Sequence, residues 1–116
     1  MTVQLFGTKK SQATKKVERF LKERGIAFQF VDINRKAPSG KELDSLAQAA
    51  GGHEALIDTS SKRYLKRGMQ YMTFDAREEL LDDPTLMRVP AVRCDAGVAI
   101  EPDEARLRGL LGESRP

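Results

Sequence analysis

The chain begins with a short apolar run that is followed by a stripe of helical period. Val3–Phe6 predicts a strand, which Gly7 ends, and Ser11 lies at or near the N-cap of the helix that follows. Gly25 closes this helix, and Ala27–Ile33 alternates as a second strand, which together predict a βαβ unit with a right-handed crossover. The apolar face of the helix has the spacing i, i+4, i+7, i+8 and comprises Ala13, Val17, Phe20 and Leu21.

The middle of the chain, at about residues 39–87, predicts a helical insertion. Ser39–Glu42 has the form of a capping box, and Gly51–Gly52 ends the helix that it starts. Ala55–Gly68 predicts a short apolar element, a Thr/Ser cap and a basic helix. Thr73 is expected to cap a further helix that runs from Phe74 towards Leu81.

The last part predicts a hairpin and a final helix. Val89–Cys94 and Val98–Ile100 are two short strands joined by Asp95–Gly97, and Pro102 is expected in the first turn of a helix with Leu107, Leu110 and Leu111 on one side. The order is therefore βαβ, a helical insertion and ββα. This order predicts an α/β, thioredoxin-like mixed sheet in one domain that spans residues 1–116.

Composition narrows the classes of function. Of the 116 residues 32% are charged, yet the net charge is only +3, so both signs are interspersed and direct nucleic-acid binding is not expected. The chain has no apolar run long enough to span a membrane and no signal-like start, so we expect a soluble, cytoplasmic monomer. One cysteine, Cys94, permits no intramolecular disulfide and offers no metal-ligand spacing.

Ser11 is the residue on which a catalytic role depends. At a helix N-terminus the unpaired N–H groups stabilise an anion or a thiolate, and Lys9, Lys10, Lys15 and Lys16 add positive charge. A serine hydroxyl, however, needs an adjacent base before it becomes nucleophilic. The only histidine, His53, belongs to another segment. The simplest interpretation is that the Ser11 hydroxyl caps the helix.

Several segments in the same order resemble the arsenate reductase and Spx-like group of glutaredoxin-related proteins, over nearly the whole chain. They are Phe6–Ser11 with Thr14–Lys16, Phe28–Asp32, Leu56–Tyr64 and Val89–Val92. The resemblance implies a first helix that begins with a nucleophilic cysteine and a cis proline before the third strand. It places Ser11 at the cysteine position and Pro90 at the cis position. It also implies a binding site for an anionic substrate or glutathione at Lys9, Lys10, Thr14, Lys15, Val89 and Pro90.

Two departures from that group argue against arsenate reduction. The group has an arginine immediately before the cis proline, where this chain has Val89, with Arg88 one position early. It has another arginine after a short apolar element, where this chain has Asp58. Oxyanion binding needs convergent donors, so the loss of two guanidinium groups together with the thiol makes arsenate turnover unexpected.

Other residues have a structural interpretation beside the functional one. Cys94 is a candidate secondary thiol, but a lone cysteine in an apolar strand is typically a small hydrophobe. Tyr71 and Phe74 are expected in the core, and His53 in a loop. Four basic side chains could face an acidic partner or simply form a solvated helix face, namely Lys62, Arg63, Lys66 and Arg67.

Two classes of function remain open. In the first, the chain is a thiol oxidoreductase scaffold with no bound cofactor or metal, glutathione as co-substrate and glutathione or glutaredoxin as partner, and Ser11 is a lost or engineered cysteine. In the second, Ser11 is native and the chain is a non-catalytic, Spx-like regulator that docks on a protein partner, as Spx proteins do with RNA polymerase.

Overall fold

The computed structural model describes residues 2–112, which divide into two compact units. Residues 2–32 and 89–112 form the first, here called the sheet unit, and Ile33–Arg88 form the second, the helical unit. Within the described residues no helix is long and apolar enough to cross a membrane.

The sheet unit contains one four-stranded sheet and two helices. The strands lie in the order β2-β1-β3-β4, with β1 parallel to β2 and antiparallel to β3, and with β3 antiparallel to β4. This is the mixed, thioredoxin-like sheet that the sequence predicts. The elements are β1 Gln4–Gly7, α1 Gln12–Glu23, β2 Gln29–Asp32, β3 Ala91–Cys94, β4 Gly97–Ile100 and α6 Glu104–Leu110.

Helix α1 is held on the sheet by an apolar face. Val17, Phe20 and Leu21 are buried as predicted, but Ala13 is exposed and Thr14 is buried in its place. Thr14 lies one turn before Val17, so the buried stripe begins one residue later than the apolar pattern alone indicated. Each large side chain that is fully buried contributes roughly 1.5–3 kcal/mol. The core cluster consists of Val3, Leu5, Val17, Phe20, Leu21, Val92 and Leu107.

The start of α6 differs from the prediction. Asp103 is its N-cap, with the side chain accepting a hydrogen bond from the Arg106 amide at 2.8 Å, and Pro102 precedes the cap. The expectation that Pro102 lies in the first turn was therefore wrong. A carboxylate one residue later offers the acceptor that the first-turn amides require.

The helical unit contains four short helices and two 3₁₀ turns. The predicted capping box is present: the Ser39 amide donates to Glu42 Oε1 at 2.9 Å, and the Glu42 amide donates to Ser39 Oγ at 3.1 Å. Asp75 rather than Thr73 caps α5, because its carboxylate accepts a hydrogen bond from the Glu78 amide. The elements are α2 Gly40–Ala50, α3 His53–Leu56, α4 Lys62–Lys66, α5 Ala76–Asp82 and the 3₁₀ turns Met69–Tyr71 and Pro84–Leu86.

Candidate functional site

Ser11 is the N-cap of α1 and its hydroxyl is engaged as a hydrogen-bond acceptor. Ser11 Oγ accepts from the Thr14 amide at 3.1 Å, and the Ser11 carbonyl accepts from the Lys15 amide at 3.1 Å. The Ser11 amide donates to the Thr8 carbonyl at 3.3 Å. The side chain, the carbonyl and the amide of Ser11 are therefore all hydrogen-bonded within the strand-to-helix corner, as the sequence predicted for a capping serine.

Pro90 lies at the same end of the sheet as this corner. The Val89–Pro90 peptide bond is cis, as the family resemblance implied. In the antiparallel register Ala91 pairs with Phe6, so Pro90 comes directly before β3 where β1 is about to end at Gly7. Pro90 is buried, and its carbonyl accepts a hydrogen bond from the Glu101 amide at 2.7 Å. We call the following residues the Ser11 corner: Lys9, Lys10, Ser11, Thr14, Lys15, Val89 and Pro90.

The corner depends on a close approach between Gly7 and Thr14. A Cβ placed on Gly7 would lie 2.5 Å from both Cγ2 and Oγ1 of Thr14, which is 1% exposed. Among the described residues Thr14 Oγ1 has no hydrogen-bond partner. An unpaired buried hydroxyl costs about 1–3 kcal/mol of stability. The chain accepts this cost at Thr14, where α1 packs closely on the end of β1. The missing Cβ of Gly7 makes that packing possible.

The surface at the Ser11 corner and beside it is positively charged. Lys9, Lys10, Lys15 and Lys16 are exposed, and none forms an ion pair within residues 2–112. The first turn of α1 contains no acidic side chain. The helix macrodipole adds roughly half a positive charge at the same place. The arrangement therefore favours an anionic group near the first-turn amides.

His53 lies in the helical unit, where it is bonded to a carboxylate. It is the first residue of α3 rather than a loop residue, and its Nε2 lies 2.8 Å from Asp44 Oδ1. Arg77 Nε donates to the same oxygen at 2.8 Å. The hydrogen bonds from Arg77 and then His53 lower the pKa of Asp44 to about 2. Nothing in the sequence linked these three side chains, because α2, α3 and α5 bring them together.

Cys94 lies away from the Ser11 corner. It is the last residue of β3, at the opposite end of that strand from Pro90, and it pairs with Gly97 across the hairpin. Its thiol is half-buried, with Sγ 3.9 Å from the Leu110 carbonyl oxygen. This environment agrees with the interpretation of Cys94 as a small apolar side chain that packs in the structure.

Two residues at or beside the positions that depart from arsenate reductases, Asp58 and Arg88, have local contacts in the helical unit. The Asp58 carboxylate accepts hydrogen bonds from the Ser60 amide at 3.0 Å and from Ser60 Oγ at 2.7 Å, which closes the turn before α4. Arg88 donates from Nη1 to the Ala55 carbonyl at 3.0 Å. Asp58 is thus used as a turn acceptor.

Neither of the two aromatic residues expected in the core is fully buried. Tyr71, which was expected in the core, is 88% exposed, whereas Phe74 is half-buried. Met69, two residues earlier, is 1% exposed and takes the core position of that 3₁₀ turn. A three-residue turn has no long periodic stripe, so the pattern could not tell which of its apolar residues points inward.

Comparison with solved structures identifies the class of protein that shares this fold. An arsenate reductase from Vibrio cholerae is 20% identical, with 97% of each chain covered and a TM-score of 0.75. An arsenate reductase related protein from Brucella melitensis is 21% identical, covering 94% of this chain and 93% of its own, with a TM-score of 0.66. No family model and no curated protein matches the sequence. The chain therefore has the thioredoxin-like fold of the arsenate reductase family.

Proposed function

We propose that this chain is a glutathione-linked member of the thiol oxidoreductase class whose Ser11 corner binds glutathione or a similar anionic compound but lacks the nucleophile. The observation that carries this proposal is that Ser11 caps α1 with its hydroxyl, at the sheet end shared with the cis Val89–Pro90 bond. Four lysines that form no ion pair within residues 2–112 surround the same helix start. Glutathione carries carboxylates that suit such a field.

Serine separates binding from chemistry at this position. The Ser11 hydroxyl accepts a hydrogen bond from the Thr14 amide, and His53, the one histidine of the sequence, is bonded to Asp44. We therefore assign no general base to Ser11. A thiol at residue 11 would instead ionise readily beside the helix N-terminus. The corner thus supports recognition of an anion without a covalent step.

The test is a titration of the full chain with glutathione, followed by amide NMR shifts. We expect shifts at residues 11–15 and at Ala91, with a dissociation constant of about 1 mM or tighter, which corresponds to roughly 4 kcal/mol. S-methylglutathione should bind equally well, because no sulfur chemistry is required.

Lysine variants give the matched comparison for that titration. Lys9→Glu/Lys10→Glu should weaken binding, whereas Lys36→Glu/Lys41→Glu makes the same charge change at exposed lysines of the helical unit and should not. If about 10 mM glutathione moves no amide of the corner, the proposal is wrong.

A second candidate is a non-catalytic regulator that docks on a protein partner. The use of the Ser11 hydroxyl as a helix cap favours it, since a capping serine needs no catalytic role. The three large apolar side chains exposed on the helical unit favour it as well, namely Leu65, Tyr71 and Met72.

A further inference from the structure

The helical unit presents an ordered apolar surface around one 3₁₀ turn. Tyr71 is 88% exposed, Leu65 50% and Met72 47%. The turn is held by hydrogen bonds from the Tyr71 amide to the Gly68 carbonyl at 3.0 Å and from the Met72 amide to the Met69 carbonyl at 3.1 Å. The buried Met69 side chain anchors it from below. The backbone that carries the exposed side chains of Tyr71 and Met72 is therefore held by hydrogen bonds.

Helix α4, which packs on this turn, adds unpaired positive charge to the same surface. Lys62, Leu65 and Lys66 have the i, i+3, i+4 spacing of one helix face. Both lysines are exposed, and within residues 2–112 neither has an acidic partner. We call Lys62, Leu65, Lys66, Tyr71 and Met72 the Tyr71 surface.

The other basic residues of this segment are already paired. Arg63 Nε lies 2.7 Å from Asp83 Oδ2, and Arg67 Nη2 lies 2.7 Å from Glu79 Oε1. The chain thus satisfies these two arginines internally and leaves the two lysines beside the apolar side chains. Two exposed lysines beside apolar side chains are a pattern that an acidic ligand with an apolar part would complement.

A cleft adjoins the Tyr71 surface at Met72. Its volume is about 440 Å³, and it is lined by four apolar or aromatic side chains, Ile57, Tyr64, Met72 and Phe74, together with Glu54, Thr59 and Thr73. A cleft of this size admits one large apolar side chain as an anchor, and interface energy is concentrated in anchors of this kind.

We propose that the Tyr71 surface docks a segment of a partner protein that carries acidic side chains beside an apolar anchor. The anchor enters the cleft next to Met72, and the acidic groups meet Lys62 and Lys66. This inference develops the docking candidate above and does not depend on glutathione binding, which is read out at the Ser11 corner.

The experiment selects peptides from a random phage-displayed library on the full chain and measures synthetic copies by fluorescence polarisation. Selected peptides should contain Asp or Glu next to Leu, Ile, Phe or Trp. Lys62→Glu/Lys66→Glu and Tyr71→Ser should each weaken binding by about tenfold or more, and affinity should fall as salt is raised. Lys36→Glu/Lys41→Glu is the control for charge and should bind as the unaltered chain does.

Each opposite result overturns the proposal. It fails if no peptide is enriched, if the enriched peptides lack acidic residues, or if they bind Lys62→Glu/Lys66→Glu unchanged. It also fails if sedimentation shows that the chain dimerises through this surface, with Tyr71→Ser restoring the monomer, or if phosphatidylserine vesicles bind in place of peptides. Glutathione shifts at the Ser11 corner should be the same in every variant of the Tyr71 surface.

Discussion

At the scale of single residues, we expect the side chain at position 11 to decide whether the Ser11 corner contains a reactive thiol. The Thr14 amide that bonds to Ser11 Oγ would bond equally to a thiolate, together with the field of the helix and of nearby lysines. We therefore predict that Ser11→Cys creates a thiol whose pKa falls from about 8.5 into the range of roughly 3.5–7.5. The measurement is the rate of iodoacetamide alkylation against pH, followed by mass spectrometry on the peptides that contain each cysteine.

Cys94 is the internal control for that experiment. It is half-buried at the end of β3, so it should alkylate slowly at pH 6 in both proteins. Rapid alkylation of Cys94 in the unaltered chain would move the reactive centre away from the Ser11 corner. If the thiol that Ser11→Cys introduces keeps the ordinary pKa of about 8.5, the helix start does not activate it.

Residue-scale predictions succeeded where local chemistry decides the outcome. The capping role of Ser11 follows from a hydroxyl at the start of an apolar stripe, and the hydrogen bond to Thr14 confirms it. The exposure of Tyr71 depends instead on how a three-residue turn sits on its unit. No pattern within the turn carries that information.

At the scale of elements, the packing of α1 on the end of β1 requires a glycine at position 7, because a side chain there would overlap Thr14. We predict that Gly7→Ala lowers the free energy of unfolding by about 1–3 kcal/mol, because the new Cβ would overlap the Thr14 side chain. Thr14→Ala should relieve part of this cost, so the double variant should be more stable than the sum of the two single variants. Urea unfolding of all four proteins measures this coupling.

Gly109→Ala is the matched control for the same substitution. Gly109 lies within α6, and a Cβ there would meet nothing within 4 Å. We expect Gly109→Ala to raise the free energy of unfolding by up to about 1 kcal/mol through helix propensity. Equal effects of the two glycine substitutions would show that the contact with Thr14 is not tight.

The elements themselves were largely predictable, and their ends were less so. The β-α-β and β-β-α order follows from apolar periodicity and from glycines, and the strand order confirms it. The caps at Asp75 and Asp103 were missed because each competes with a nearby Thr or Pro that is also a good start signal. The Asp44–His53–Arg77 cluster could not be read from sequence, since its members belong to three helices.

At the scale of the whole molecule, arsenate reduction requires donors from several segments at once, and the fold alone does not supply them. Asp58 is a turn acceptor for Ser60, and Val89 has no donor side chain, where the resemblance calls for arginine at both positions. An oxyanion would therefore lack both guanidinium partners. We predict that the unaltered chain shows no arsenate turnover above background when glutathione and glutaredoxin are supplied.

We also predict that a thiol at position 11 alone is not enough for arsenate reduction. Ser11→Cys should react with iodoacetamide and still fail to reduce arsenate, because a nucleophile without convergent donors has no bound oxyanion to attack. A coupled NADPH assay on both proteins, with an active arsenate reductase as the positive control, makes the comparison. Turnover by Ser11→Cys would show that the lysines around α1 can replace the two arginines, and turnover by the unaltered chain would show that Cys94 or another group does the chemistry.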